Sequence, residues 1–206
     1  KVNVNYLRRL DDLTIKLSKE DFAKKVGDIQ FGSILYGNGI RNNGSHFIDQ
    51  IRMLGAKINF VQALNKPLVI NKKNSFSDYN LNVLLGLKNG AQIIMHSLNF
   101  DYYREQVTDL WGTKGKIQIY QEGIFFKLNK LNSHRALDDN IEISLDNDFI
   151  TKSSIGEAFY KLYDDLIEAI EKNIKTKSDL LNAKITEEII DNILKSAHNN
   201  NVRINL

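Results

Sequence analysis

Apolar side chains alternate with polar ones through most of the middle of this chain and recur at helical spacing toward its end. The alternation predicts half-buried strands, and the three-to-four-residue recurrence predicts amphipathic helices. Val2, Val4 and Tyr6 alternate, as do residues of Ile29–Tyr36, so each run is expected to be a strand. Between them Ser18 stands as a helix N-cap with Asp21 at its third position, and Gly27 ends the turn. From Asn43 to Leu54 the period changes: Phe47, Ile48, Ile51 and Leu54 share one helical face, and Gly55 supplies the C-cap.

Extended segments are expected at Lys57–Leu64 and Tyr79–Leu87, the second joined to Ala91–Leu98 by Asn89-Gly90, a strong two-residue hairpin signal. Further strands are expected at Tyr103–Trp111, Gly115–Tyr120 and Gly123–Leu128, with a tight turn at Gln121-Glu122. Trp111 and the Tyr102-Tyr103 pair read as sheet packing rather than stacking platforms. Two apolar stripes follow, Phe159 to Ile170 and Leu181 to Ala197, broken at Lys175–Ser178, before Val202–Leu206 closes as an edge strand. Short turns between consecutive strands require a largely antiparallel sheet of roughly six to eight strands. The fold class is therefore α+β: an open-faced, predominantly antiparallel mixed sheet with helices on one face, in a single domain over residues 1–206.

That topology excludes a Rossmann half within these residues, and the glycine fingerprint GxGxxG is absent from the sequence. The start at Lys1, without methionine or a signal-peptide core, reads as the beginning of a domain fragment. Basic and acidic side chains number 28 and 25 in mixed order, so no concentrated field exists for a phosphate backbone and nucleic acid is not an expected partner. No run approaches the roughly eighteen apolar residues of a membrane span. Without cysteine there is no disulfide frame, thiol nucleophile or thiolate metal site, and a cytoplasmic location is the expectation.

Of the four histidines, at 46, 96, 134 and 198, no two have metal-binding spacing, so no metal is expected. His96 falls in a strand, His134 in a polar loop and His198 in a last helical turn, all settings in which histidine serves structure. His46 differs, because residues 38–49 gather glycines, amides, Arg41, a hydroxyl and Asp49 between a strand end and a helix start. Such a corner can present a side chain into a cleft on a rigid support, although an ordinary capped-helix histidine fits the residues too. Asp49, three residues on, either orients the imidazole or satisfies helix-start amides, and Asn42, four residues back, can bond a hydroxylated ligand. Arg41 adds a cation to that corner, and Arg8 and Arg9 read by themselves as a solvated basic pair.

The stretch Tyr36 to Gly55 resembles the hallmark helix of the C-terminal domain of the Gfo/Idh/MocA oxidoreductases, the glucose-fructose oxidoreductase and inositol dehydrogenase family. Asn5-Tyr6-Leu7-Arg8-Arg9 is similar to the strand following that family's nucleotide-binding half, and Trp111-Gly112-Thr113-Lys114-Gly115-Lys116-Ile117 to its later sheet turn. The tail from Glu157 to Leu206 resembles its closing helices and strand, so the likeness spans the chain. It implies a dihydrodipicolinate-reductase-like domain that partners its own N-terminal Rossmann domain, binds a sugar, cyclitol or nucleotide sugar, and forms a homodimer through the bare sheet face. NAD or NADP is implied for the full-length protein, with none expected to bind this chain alone. His46 matches the catalytic histidine, Asn42, Arg41, Asp49 and Arg8 are the implied substrate contacts, and Arg9 is the implied cofactor contact. The family's aspartate four residues before the histidine is Asn42 here, so the histidine carries more of the proton transfer or the domain is a non-catalytic binding or dimerisation module.

Overall fold

Alternation along Ile29–Gly37 buries Gly32, Ile34 and Tyr36 on one side and leaves Phe31, Ser33 and Leu35 on the other, and the remaining strands repeat this division. In the computed structural model, which describes residues 1–70, 78–132, 141–144 and 149–206, this segment is the central strand β1. The others are β2 (Ile58–Ala63), β3 (Leu68–Ile70), β4 (Asp78–Asn80), β5 (Val83–Leu87), β6 (Gln92–Leu98), β7 (Val107–Gly112), β8 (Gly115–Tyr120), β9 (Phe125–Asn132), β10 (Glu142–Ile143), β11 (Phe149–Lys152) and β12 (Ile204–Asn205). Among the described residues ten strands form one sheet in the order β10-β9-β8-β7-β1-β6-β5-β2-β12, with β11 also on β9, while β3 and β4 pair apart. Only β1 and β6 run parallel in that sheet; its other pairs are antiparallel. The protein is thus α+β with a mixed, mostly antiparallel sheet.

The helices are α1 (Asp12–Lys16), α2 (Phe22–Lys25), α3 (Ser45–Met53), α4 (Ala158–Glu171) and α5 (Leu180–His198). Phe47, Ile48 and Ile51 of α3 join Ile189, Ile190 and Ile193 of α5 over the buried sheet face, where Ile34, Val61, Leu85, Ile93, Met95 and Leu110 complete the core. No helix among the described residues is long and apolar enough to cross a membrane.

Several boundaries differ from the sequence expectation. Residues 1–6 form no strand: Val4 N–H donates to the Ser178 carbonyl at 2.8 Å and the Ser178 hydroxyl returns a bond to the Val4 carbonyl at 2.7 Å, so the segment is extended along a loop. The first α-helix begins at Asp12, not Ser18, because the Asp11 carboxylate caps it by accepting from Thr14 N–H at 2.8 Å. Ser18 lies inside the helical run, its hydroxyl spent on the Ile15 carbonyl. β7 starts at Val107, and Tyr102 and Tyr103 are exposed in a turn where the Asn99 side chain accepts from Asp101 N–H, so they do not pack on the sheet. Trp111 does, tilted against Phe31 at 5.4 Å with Lys116 over its ring. His134 lies outside the described residues.

Candidate active site

β1 delivers the chain to its end at Gly37, where Asn38 and Gly39 take positive φ (61° and 98°) and reverse its direction. A Cβ at Gly39 would collide with the Asp78 carboxylate, so glycine is required for this close approach. Asp78 accepts from the backbone N–H groups of Arg41 (3.2 Å) and Asn42 (2.9 Å), while Asn80 accepts from Gly39 N–H (3.1 Å). The turn Gly39–Gly44 has the wide i to i+5 spacing of a π-helix before α3 begins at Ser45. Wide turns of this kind shift which side chains share a face.

His46 therefore sits on the first turn of a helix whose following residues, Phe47 to Ile51, are buried. Its ring meets Tyr6 edge-on at 5.3 Å and 89°. Burial, helped by the Arg8 charge, pushes the imidazole down to about 4, so it is neutral at physiological pH. Burial likewise raises the Tyr6 phenol above its usual value.

Leu7–Leu10 forms a tight 3-10 turn that sends Arg8 and Arg9 to different places. Arg8 lies over the Phe47 ring at 4.8 Å and donates to the Glu122 carbonyl at 2.7 Å; burial lowers its guanidinium to about 10. Arg9 grips Asp49 with Nη2 at 2.7 Å and Nε at 2.8 Å from its two carboxylate oxygens. Asp49 is 1% exposed and is also approached by Arg52 at 3.4 Å and by the Thr186 hydroxyl at 3.4 Å.

A cavity of about 420 Å³ opens beside His46, lined by Arg8, Asn43, Phe47, Gln106 and Lys152 among others. Three of its lining residues hold nitrogen atoms that are buried and have no hydrogen-bond partner among the described residues: Arg8 Nε, Asn43 Nδ2 and Gln106 Nε2. A buried donor without an acceptor costs about 1–3 kcal/mol, so such a cluster marks a place where a ligand supplies acceptors. A cavity of about 490 Å³ between α2, the end of α3 and the β5–β6 turn holds Asp28, Lys57 and Lys88 but no histidine and none of these unpartnered nitrogens.

The sequence-derived candidates divide accordingly. His46 and Arg8 share the cavity. Asp49 and Arg9 are occupied with one another and do not line it. Arg41 points to the surface, paired with Glu187 and, at 2.6 Å, with Asp191 on α5. Asn42 is exposed and its amide donates to the Asn38 carbonyl at 3.2 Å, because the wide turn brings Asn43 to the cavity in its place. Asn43, Gln106 and Lys152 carried no distinctive sequence signal, since they arrive from three separate segments. Among the described residues no group of three or more acidic or histidine side chains is placed to hold a metal.

An open mixed sheet with helices on one face carries His46 at the corner between a strand and a buried helix. The family model for the C-terminal alpha/beta domain of the Gfo/Idh/MocA oxidoreductase family matches residues 24–206, and the chain belongs to that family. No curated protein sequence matches the chain. A levoglucosan dehydrogenase solved with NADH and L-sorbose is 16% identical with TM-score 0.69, over 98% of this chain and 64% of that one. An Agrobacterium radiobacter oxidoreductase solved with NAD+, L-tartaric acid and magnesium is 16% identical with TM-score 0.66, over the same two shares. The yeast Gal80p super-repressor mutant from Saccharomyces cerevisiae is 13% identical with TM-score 0.69, over 100% of this chain and 65% of that one. The chain spans a little under two thirds of the length of these solved chains.

Proposed function

We propose that this chain is the substrate-binding half of an NAD(P)-dependent oxidoreductase that interconverts a hydroxyl and a carbonyl on a sugar, cyclitol or nucleotide sugar. The observation that carries this reading is the neutral His46 imidazole beside a cavity rimmed with unpartnered donors. Support also comes from structural neighbours solved with a nicotinamide together with L-sorbose or L-tartaric acid, both polyhydroxylated. A bound nicotinamide would supply the acceptor for the hydride leaving the carbon that bears the hydroxyl. His46 accepts the hydroxyl proton on its free ring nitrogen as the C–O bond becomes double, and in the reverse direction returns that proton to the oxygen. The low value of the imidazole favours the accepting form before reaction and makes the imidazolium a strong donor afterwards. Asn43 and Gln106 present amide donors to the ligand's oxygens, and Phe47 closes one wall.

Among the described residues none forms a strand, glycine loop and helix of the kind that holds a pyrophosphate, and Arg9 is committed to Asp49 rather than free to meet a nicotinamide. In this reading a preceding Rossmann domain in a cytoplasmic enzyme holds it. Asn3 donates to the Leu162 carbonyl at 2.9 Å and to Asp165 at 3.1 Å, so a domain joined there enters alongside α4, whose Phe159, Tyr163, Ile167 and Ile170 are exposed. The uncovered sheet face is assigned to a homodimer.

A second reading rests on Asn42, where the family resemblance leads one to expect a carboxylate: the domain binds its ligand without turnover. One experiment separates the two. In the full-length protein His46→Ala is expected to lower turnover by roughly 100-fold to 10,000-fold while leaving nicotinamide affinity unchanged. Turnover on a sugar panel that is equal in wild type and variant removes His46 from the chemistry, and no turnover in either selects the binding module.

A further inference from the structure

The His46 cavity also constrains the charge of what it binds. The Arg8 side chain belongs to a residue only 7% exposed, yet among the described residues its Nε has no partner and its one hydrogen bond, from Nη2, goes to a neutral carbonyl. A buried guanidinium without a carboxylate is costly, and folded proteins ordinarily pair such a charge. The nearby carboxylates are all engaged elsewhere. Asp49 is bound by Arg9; Asp11 accepts from Thr14 and Ser154, at 2.8 to 3.0 Å; and the Glu122 carboxylate pairs with Arg104 at 2.7 Å. Gln106, 4% exposed, and Asn43 add two further nitrogen atoms without partners, and Lys152 adds a second positive charge to the lining.

We propose that the ligand of this cavity is a polyhydroxylated carboxylate, a sugar acid, whose carboxylate lies between Arg8 and Lys152 with the Asn43 and Gln106 amides completing its shell. The proposal rests on the reading of this cavity as the substrate site. The planar guanidinium fork matches the two coplanar oxygens of a carboxylate, and Lys152 sets a second cation in the same lining. At about 420 Å³ the cavity is also of monosaccharide scale, at the lower end of the usual range for small-ligand sites.

The test is calorimetric binding to the full-length protein, with nicotinamide present, of matched pairs: D-glucuronate and D-glucose, D-galacturonate and D-galactose, D-gluconate and D-glucitol, with glucose 6-phosphate as a further arm. At least one carboxylate is expected to bind tenfold or more tightly than its neutral partner and more tightly than the phosphate. Lys152→Gln, at an exposed position tolerant of change, is expected to weaken that carboxylate about threefold to tenfold and narrow its margin over the neutral partner by the same factor; Arg8→Gln, checked for folding by circular dichroism, is expected to abolish the preference. Neutral members binding as well as their acids, the phosphate binding best, or no carboxylate binding up to 50 mM each overturn the proposal. Because the readout is binding, these results stand apart from turnover: a neutral sugar oxidised in a His46-dependent way keeps the oxidoreductase reading and removes the carboxylate.

Discussion

Arg8 and Arg9 are adjacent in sequence and have opposite fates, because a 3-10 turn rotates successive side chains by about 120°. Arg9 and Asp49 close a buried ion pair across 40 residues, and Asp49 thereby ties the N-terminal segment to α3 and, through Arg52 and Thr186, to α5. That role was not legible in the sequence: the i, i+3 spacing of His46 and Asp49 suggested an imidazole partner, and nothing local marks a partner so distant. His46 was legible because its corner between strand and helix is a local pattern, whereas the π-turn that substitutes Asn43 for Asn42 depends on Asp78, which lies 35 residues beyond Asn43. The same residue carries a pH dependence of stability. His46 in the folded chain titrates near 4, below its ordinary 6.5, so the unfolded chain binds the extra proton between those values. Its contribution is fully present above about pH 6.5 and declines as pH falls toward 4, by about 3 kcal/mol at most. Urea denaturation from pH 7 to pH 4 is expected to show this loss and His46→Gln to reduce it; identical slopes in the two proteins would contradict a buried neutral imidazole.

At the scale of elements, local turn chemistry was read reliably. Asn89-Gly90 does join β5 to β6, and Gly55, at φ 96°, ends α3. The first helix was misplaced because Ser18 and Asp11 are both competent caps and only the tertiary bonds from Ser154 N–H and hydroxyl to Asp11 select one of them. The glycines of Trp111-Gly112-Thr113-Lys114-Gly115 have a packing reason. The turn between β7 and β8 lies against the end of α2, with Lys114 N–H donating to the Val26 carbonyl at 2.9 Å and Thr113 N–H to the Asp28 carbonyl at 3.0 Å. A Cβ on Gly112 would strike the Val26 carbonyl oxygen, a backbone atom that cannot swing aside, and one on Gly115 would fall 2.7 Å from the Lys25 carbonyl. Gly112→Ala is accordingly expected to cost about 1–3 kcal/mol by forcing α2 away from the sheet. Gly90→Ala serves as the comparison, since a Cβ there meets nothing and only the strain of a φ of 89° remains. Equal thermal midpoints for wild type and Gly112→Ala would mean that the α2 contact is loose.

For the whole molecule, the sheet has one face under α3 and α5 and, among the described residues, one face without helices. On the open face β1 contributes Phe31 and Leu35, β7 contributes Val107 and Trp111, and β6 contributes Ile94, all at least partly exposed. A second apolar surface runs along α4 through Phe159, Tyr163, Ile167 and Ile170. Contiguous apolar surfaces of this kind mark association, and the two differ in what each is suited to meet. The sheet face is broad and can meet its own copy about a twofold axis, burying an area on the order of 1,600 Å². The α4 stripe is narrow and lies beside the extended segment at residues 1–6, where a preceding domain would be attached. Sedimentation equilibrium of the 206-residue chain at micromolar concentration is therefore expected to show a dimer. Leu35→Glu, which places a charge in the centre of the sheet face, is expected to shift it at least tenfold toward monomer, since a charge buried without a partner at an interface costs more than 1.4 kcal/mol. Ile167→Glu on α4 is expected to leave the dimer intact. A stable monomer for the wild-type chain, or dissociation by Ile167→Glu and not by Leu35→Glu, would move the self-association surface from the sheet to the helix and leave the open sheet face for a different partner.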